Sequence, residues 1–580
     1  MNAARTTPEF GAHILPNGQV RFRLWAPAQQ TVSVAIEDGP LLPMRRSPDG
    51  WFETITSCRP GTRYRYRLAD GMMVPDPASR AQAGCVHDPS IVIDANSYRW
   101  RTQDWSGRPW VETVLYELHP GTCGGYDGIA RTLPELRDLG VTAIELMPIA
   151  DFPGRHNWGY DGVLPYAPDA AYGTPDQLKA LIDTAHGLGL MVFLDVVYNH
   201  FGPDGNYLHQ YAPGFFRDDI HTPWGSAIDF RRPEVRAFFT GNVLQWLMEY
   251  RFDGLRFDAV HAIAEQDWIE EMAATVRATV GPSRHVHLVL EHHNHAGHLR
   301  GDVDAQWNDD GHNVLHVLLT NETGGYYGDY ADHPAEKLAR VLSDGWVFQG
   351  DTSEYLGGPR GEPCADLPPT AHVLFLQNHD QTGNRAFGER LTVLADPAAL
   401  EAAIALQLLC PQIPLLFMGE EDASRTPFLF FTDHAPELAE AVRNGRRAEF
   451  ARFPAFADPD QRERIPDPND EATFSASVPV PDRAAGAQRR ALYRTLLGLR
   501  REHIVPRLEG ARSAGADVIG PKAVLARWTM GDGCLLSIAI NLGEESVPFT
   551  VPPGSCLFTS RAVADTLPDC CTAVFLEFKA

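Results

Sequence analysis

The stretch Gly254-Leu255-Arg256-Phe257-Asp258-Ala259-Val260-His261 decides the fold. It reads as a short buried strand, and because side chains alternate across a strand, Arg256 and Asp258 point the same way. A guanidinium beside a carboxyl keeps that carboxyl ionised and aimed. Alone, such an Arg-x-Asp pair is most simply a structural ion pair. Three other apolar runs also end in polar clusters, however: 192–200 closes on Asp195, Asn199 and His200, 288–291 on Glu291, and 375–380 on Asn378, His379 and Asp380. In a barrel of parallel strands these ends converge on one face.

Working outward, strand-like runs at 114–118, 143–147 and 191–197 alternate with helical periods such as Leu178, Leu181, Ile182, Ala185 and Leu188. Val235, Phe238, Phe239, Val243, Trp246 and Leu247 form a further amphipathic helix that leads into Gly254. Later strands fall at 288–291, 373–377 and 414–418, with the sixth placed near 303–307. The alternation predicts an α/β fold, an eight-stranded (β/α)8 TIM barrel over 113–507. Before it, alternating runs around Phe22, Val34 and Tyr66 predict an N-terminal β-sandwich over 1–93, joined by a Pro-, Asp- and Trp-rich linker over 94–112. After it, a small C-terminal β-domain occupies 508–580. The segment 433–490 is polar and Pro-rich with a helical portion and no legible fold.

A chain of 580 residues with 44% hydrophobic content can bury a large core and should divide into two to four domains. Its net charge of −25 argues against nucleic acid or an anionic membrane surface as partner, because phosphates would be repelled. A neutral ligand is compatible with that charge. The 12 Trp, 17 Tyr and 28 Phe suit sugar binding as well as core packing. The first eight residues, Met1 to Pro8, offer no apolar signal segment, and the most apolar region, 404–418, is broken by Pro411 and Pro414. The reading is a soluble cytoplasmic protein. Nine scattered cysteines fit reduced, buried thiols, and no zinc spacing is present.

Strand-end carboxyls of a barrel point to glycosidic bond cleavage, which needs one carboxylate and one carboxylic acid, about 5 Å apart if the anomeric configuration is retained. Arg256 would hold Asp258 ionised as nucleophile. Glu291, among like charges, would be raised and stay protonated as general acid. Once Asp258 is esterified, the same Glu291 can take a proton from water. Asp380 would accept hydrogen bonds from ring hydroxyls, and His200 and His379 would bond the same sugar. Trp158, Trp224 and Trp307 are stacking candidates, each weighed against plain packing.

Together, Asp195 to His200, Gly254 to Asp258, Glu291 and Asn378 to Asp380 resemble the four signature regions of the α-amylase family of glycoside hydrolases. That resemblance implies a retaining mechanism on α-glucans with Asp258 as nucleophile, Glu291 as acid/base and Asp380 as transition-state stabiliser. A narrower likeness runs through Leu115 to His119, Glu145 to Ile149, Phe152 to Asp161, His221 to Gly225, Asp304 to Asp310 and Phe417 to Glu421. These segments are similar to the maltooligosyltrehalose trehalohydrolase family, whose members cut the α-1,4 bond next to a terminal trehalose. The likeness implies an N-terminal sandwich of the carbohydrate-binding-module or E-set kind and a maltooligosyl trehalose substrate. It also implies a functional link to the synthase that makes that substrate. Carried across, Tyr160 stacks on the sugar whose bond is cut and His261 faces the leaving trehalose, with Trp158, Asp195, His200, Arg256 and His379 also at the substrate.

The chain departs from that family at His119 to Gly125, and after Glu291, where His292, His293, Asn294 and His295 follow. The histidines lack the spacing of a catalytic zinc site, Gly124-Gly125 reads as a turn and not a phosphate loop, and the loop after Asn199 is too short for the family's calcium; no metal or cofactor is expected. Two rival readings stay open. A branching or debranching enzyme would share the barrel and differ in its acceptor, and a non-catalytic glucan-binding protein would not need Arg256, Asp258, Glu291 and Asp380 together.

Overall fold

A computed structural model describes residues 10–451, 453 and 456–578. The Met1 to Pro8 segment lies outside the described residues. At its centre is a closed barrel of eight parallel strands: β1 (Leu115–Leu118), β2 (Ala143–Leu146), β3 (Met191–Val196), β4 (Gly254–Phe257), β5 (His287–Leu290), β6 (Ala305–Trp307), β7 (His372–Phe375) and β8 (Ile413–Phe417). Every residue of these strands is buried, which is why they read as continuous apolar runs and not as alternating ones. The sixth strand stands within the stretch where the sequence placed it.

Local chemistry sets the helices. Gly124 and Gly125 turn the chain with φ of 81° and 71°, and a Cβ on Gly125 would meet the Tyr172 carbonyl at 2.6 Å. The helix α1 (Gly125–Leu139) starts there. Thr174 closes a capping box with Gln177 and Pro175 takes the first helical position of α2 (Pro175–Gly187). Between β5 and β6 the outer helix is reduced to the single turn Ala296–Leu299. Two excursions leave the C-terminal rim: one after β2 carries Trp158 and Tyr160, and one after β3 contains the hairpin Phe216–Thr222/Gly225–Ile228 with Trp224 near its tip.

The N-terminal sheets contain Gly11–Ile14, Val20–Trp25 and Trp51–Thr56 on one side and Ser33–Ile36 and Arg63–Arg67 on the other. They pack as a sandwich whose Phe10 meets Phe238 of the barrel at 5.0 Å, while Arg80 pairs with Glu249 at 2.5 Å. The segment that follows lies across the barrel's N-terminal end. Trp105 Nε1 donates to Asp253 Oδ1 (2.7 Å) just before β4, His285 N donates to Ser106 O (2.7 Å) just before β5, and Trp110 Nε1 donates to Thr370 O (2.8 Å) just before β7. At the other end of the chain, Arg512–Gly520, Ala523–Thr529, Leu535–Asn541, Ser555–Thr559 and Cys571–Glu577 form one antiparallel sheet.

The 433–490 region, whose fold was not legible beyond a helical portion, contains the 15-residue helix Pro436–Phe450 and the short helices Pro459–Glu463 and Glu471–Ala476, the last two capped by Asp458 and Asp470. All nine cysteines are free, but only Cys364, Cys410, Cys534 and Cys571 are buried and Cys556 is exposed, so the expectation of buried thiols holds for four. Among the described residues, no helix is long and apolar enough to cross a membrane.

Candidate active site

Parallel pairing brings the polar strand ends into register: Asp195 on β3 lies opposite Arg256 on β4, Asp258 N bonds Val196 O, and Glu291 N bonds Phe257 O. Arg256 is fully buried and its guanidinium lies 4.1 Å above the Trp307 ring. Its Nη1 donates to Asp195 Oδ2 at 2.6 Å and Asp258 Oδ1 at 3.0 Å, and its Nη2 donates to Glu291 Oε2 at 2.5 Å. One cation therefore ties three carboxyls together. Asn199 Nδ2 adds a bond to Asp258 Oδ2 at 2.8 Å. Ala259 stands in the left-handed region at φ 39°, a strained conformation for a residue with a Cβ, and its N–H donates to Glu291 Oε2 at 3.0 Å.

The geometry differs from the expected one-to-one pairing. Arg256 does not serve Asp258 alone. Burial, with Glu291 and Asp195 nearby, pushes Asp258 well above the usual carboxylate range against the pull of Arg256. Burial also acts to raise Glu291, but Arg256, His261 and the Ala259 N–H outweigh it, so its carboxyl sits below the ordinary value. The like charge around Glu291 is overruled by its contact with Arg256. Asp195, raised by burial to about 6, lies beneath them.

A second buried group flanks the first. Tyr160 donates its hydroxyl to Asp195 Oδ2 (2.6 Å), its oxygen lies 2.8 Å from His379 Nε2, and its ring stacks on the His379 ring at 5.0 Å. His379 Nε2 is also 3.5 Å from Asp380 Oδ1, to which Asn384 Nδ2 donates at 3.0 Å. Asn378 starts the short helix that carries both residues by accepting from Gln381 N.

The remaining candidates separate by exposure. Asp258, Glu291 and Asp380 reach the surface, with side chains 11%, 19% and 36% exposed, and Tyr160 and His261 are half-buried. Trp158 is not a platform: it stacks on Phe428 at 5.3 Å with its Nε1–H spent on Leu429 O, so it is packing. His200 is also corrected, because both its ring nitrogens face protein oxygens, of Asn199 and Tyr160, and its ring lies flat under the exposed Trp224 at 4.7 Å. His261 stacks on His293 at 3.8 Å beside Glu291. Among the described residues, no group of three or more His, Cys, Asp or Glu side chains is arranged to hold a metal ion.

Several site residues escaped the sequence reading. Glu117 on β1 contacts His379, Glu145 on β2 is fully buried beside Glu117 and Asp195 with neither oxygen partnered, and burial raises Asp309, near Glu291 and Asp380, to about 7. Glu117 and Glu145 sit inside apolar runs, where a lone charge was the available signal.

A parallel barrel whose strand ends gather carboxyls around one guanidinium defines a glycoside hydrolase of the α-amylase class. Models of three families match in turn: "Carbohydrate-binding module 48 (Isoamylase N-terminal domain)" at residues 9–79, "Alpha amylase, catalytic domain" at 94–213, and "Domain of unknown function (DUF3459)" at 511–575. The malto-oligosyltrehalose trehalohydrolase of Deinococcus radiodurans is 41% identical, over 93% of this chain and 92% of its own length. That of Saccharolobus solfataricus is 40% identical over 76% and 80%. A Salmonella typhimurium protein solved as a candidate alpha amylase superposes with a TM-score of 0.93 at 42% identity, covering 99% of this chain and 100% of that one. The chain belongs to the malto-oligosyltrehalose trehalohydrolase family.

Proposed function

We propose that the protein hydrolyses the α-1,4 bond joining a terminal trehalose unit to a maltooligosaccharide, with Asp258 as nucleophile, Glu291 as general acid and base, and Asp380 stabilising the oxocarbenium-like sugar. The observation that carries the reading is the single guanidinium of Arg256 shared by Asp258 and Glu291 in a chain of this family. Holding the two carboxyls on two nitrogens of one fork keeps them close, as a retaining pair about 5 Å apart requires.

These contacts support one order of events. Glu291 becomes an acid only when it leaves Arg256 Nη2 and the Ala259 N–H and takes up the proton that burial favours on this cluster. A glycosidic oxygen arriving over Glu291 competes for that carboxyl. Asp258 then shares Arg256 Nη1 with Asp195 alone, holds Asn199 Nδ2, becomes the ionised member, and attacks the anomeric carbon as Glu291 protonates the leaving sugar. With Asp258 esterified, Glu291 accepts a proton from water, and the hydroxide equivalent releases the second product.

The substrate is supplied by a reaction that turns the reducing end of a maltooligosaccharide into trehalose, so a synthase of that class is the functional partner. Nine free cysteines suit a reducing compartment, the cytoplasm. The test is product analysis on maltotetraosyl trehalose and, separately, on maltohexaose. Release of trehalose from the first with little cleavage of the second is the expected result; equal cleavage, or longer branched products, would overturn the specificity. Glu291→Gln should lower hydrolysis by about 10²-fold or more, whereas a binding protein would be unaffected.

A further inference from the structure

Glu117, on β1, is 1% exposed and spends both its oxygens on one residue. Its Oε1 lies 2.6 Å from His379 Nδ1, and its Oε2 accepts the His379 backbone N–H at 2.9 Å. The other ring nitrogen meets the hydroxyl oxygen of Tyr160, whose own hydrogen goes to Asp195. A hydroxyl that has given its hydrogen away can only accept. Both nitrogens of His379 thus face acceptors, so both carry protons and the ring is an imidazolium.

We propose that Glu117 is a positioning residue that holds His379 as a doubly protonated cation, and that this second buried charge, beside Arg256, keeps Asp380 and the Tyr160–Asp195 pair in the ionisation the reaction uses. The charge balance supports it. Seven carboxyls, those of Glu117, Glu145, Asp195, Asp258, Glu291, Asp309 and Asp380, lie in or beside this cluster, and Arg256 alone neutralises only part of it. The groups facing His379 are Glu117 from β1, Tyr160 and Glu145 from β2 and its loop, Asp195 from β3, Arg256 from β4, Glu291 from β5 and Asp380 on its own helix; His119 is the remaining imidazole nearby. Burial lowers the ring, but Asp380 and Glu117 outweigh it and leave it at about 9.

The chemistry follows from these contacts. Asp380 Oδ1 is 3.5 Å from His379 Nε2, and burial pushes its carboxyl up while the imidazolium pulls it back down. A neutral His379 would leave Asp380 to protonate next to Glu291, and a neutral acid cannot stabilise a developing positive charge on the sugar. Glu117 makes no hydrogen bond to Asp380, which its own charge pushes upward; its opposite, larger effect runs through the ring. Because it also grips the backbone of His379, it fixes where that ring stands under Tyr160.

The inference rests on the hydrolase reading above, yet its test does not depend on which glucan is cut, since any oligosaccharide the wild-type protein cleaves serves as the assay. ¹⁵N-histidine NMR, with the His379 signal assigned by its loss in His379→Asn, is expected to show both ring nitrogens protonated through neutrality and up to about pH 9 in the wild type. In Glu117→Gln the change to the neutral-ring pattern should come with a midpoint at or below about pH 7, the ring being neutral above it. Its kcat should fall roughly tenfold or more with KM changed far less. Adding Glu117→Gln to His379→Asn should cost no more than about threefold further. Should the Gln variant not fold, Glu117→Asp keeps a carboxylate near the ring and is expected to retain the doubly protonated signal with part of kcat. A ring that stays doubly protonated in Glu117→Gln, losses that multiply in the double variant, or an Asp variant that has lost the proton would overturn the proposal.

Discussion

Arg256→Met removes the one cation shared by Asp195, Asp258 and Glu291 while leaving a flexible apolar side chain over Trp307. At an effective dielectric of about 20, a unit pair about 4 Å apart is worth about 4 kcal/mol. That equals roughly 3 pK units. Asp258 is already held high by burial, so losing this term leaves about one thousandth as much of it ionised near neutrality, and kcat should fall by about 10³. Stability should fall too, by about 3–5 kcal/mol, the usual result of stripping one partner from a buried pair. The pH dependence gives the sign. Without the guanidinium, the three carboxyls have folded-state pKa values above their unfolded ones, so the fold is favoured below about pH 4 and loses that support as pH rises through the raised values. The melting temperature of the variant should therefore climb as pH is lowered from about 8 to about 5. Steady-state kinetics and thermal unfolding across that range check both halves. A variant within about tenfold of wild-type kcat with an unchanged pH profile would refute the assignment of Arg256 as the group that holds the nucleophile ionised.

Tyr160→Phe deletes only the hydroxyl between Asp195 and His379, a bond to charged partners worth about 1.5–3 kcal/mol, and should lower kcat/KM about 10- to 150-fold at unchanged fold, as read by kinetics and circular dichroism. Asp183 is buried in α2 and accepts from the backbone N–H of Arg101 and Thr102 and from the Tyr98 hydroxyl, so Asp183→Asn should cost about 2–4 kcal/mol in denaturant unfolding. Burial raises that carboxyl, but the Thr102 and Arg101 hydrogen bonds overcome it and hold it well below the usual range. Its contribution is fully present above about pH 4 and disappears as pH falls further, so the gap between wild type and variant should close in acid.

The barrel was legible because parallel strands buried on both faces write themselves as unbroken apolar runs, and because a strand's last residues are polar only where something is done with them. Asp258, Glu291 and Asp380 stood out for that reason. Protonation was not legible, since it depends on which carboxyl the guanidinium approaches most closely, and two nitrogens serving three partners is a matter of side-chain geometry. Trp158 misled for a related cause: an indole near a signature loop looks the same in sequence whether it faces sugar or Phe428. Glu117 and Glu145 hid inside their strands, where a charge reads as an interruption of a hydrophobic run until its partner, more than two hundred residues away for Glu117, is seen. In 433–490 only a helical portion was legible, because Pro459–Glu463 and Glu471–Ala476 are barely more than one turn, too short for a period to show.

The segment beneath the barrel lays the floor before the walls exist. Trp105, Ser106 and Trp110 precede every barrel strand in sequence, yet their partners stand at the mouths of β4, β5 and β7, and Thr370 lies 260 residues beyond Trp110. On a chain emerging from its N-terminus, the last of these floor contacts must wait until 260 further residues have followed. Contacts of such sequence separation are slow to form, because the loop-closure entropy is lost before the contact repays it. The sandwich strands pair only with one another, but Phe10 and Arg80 on that domain must likewise wait for Phe238 and Glu249.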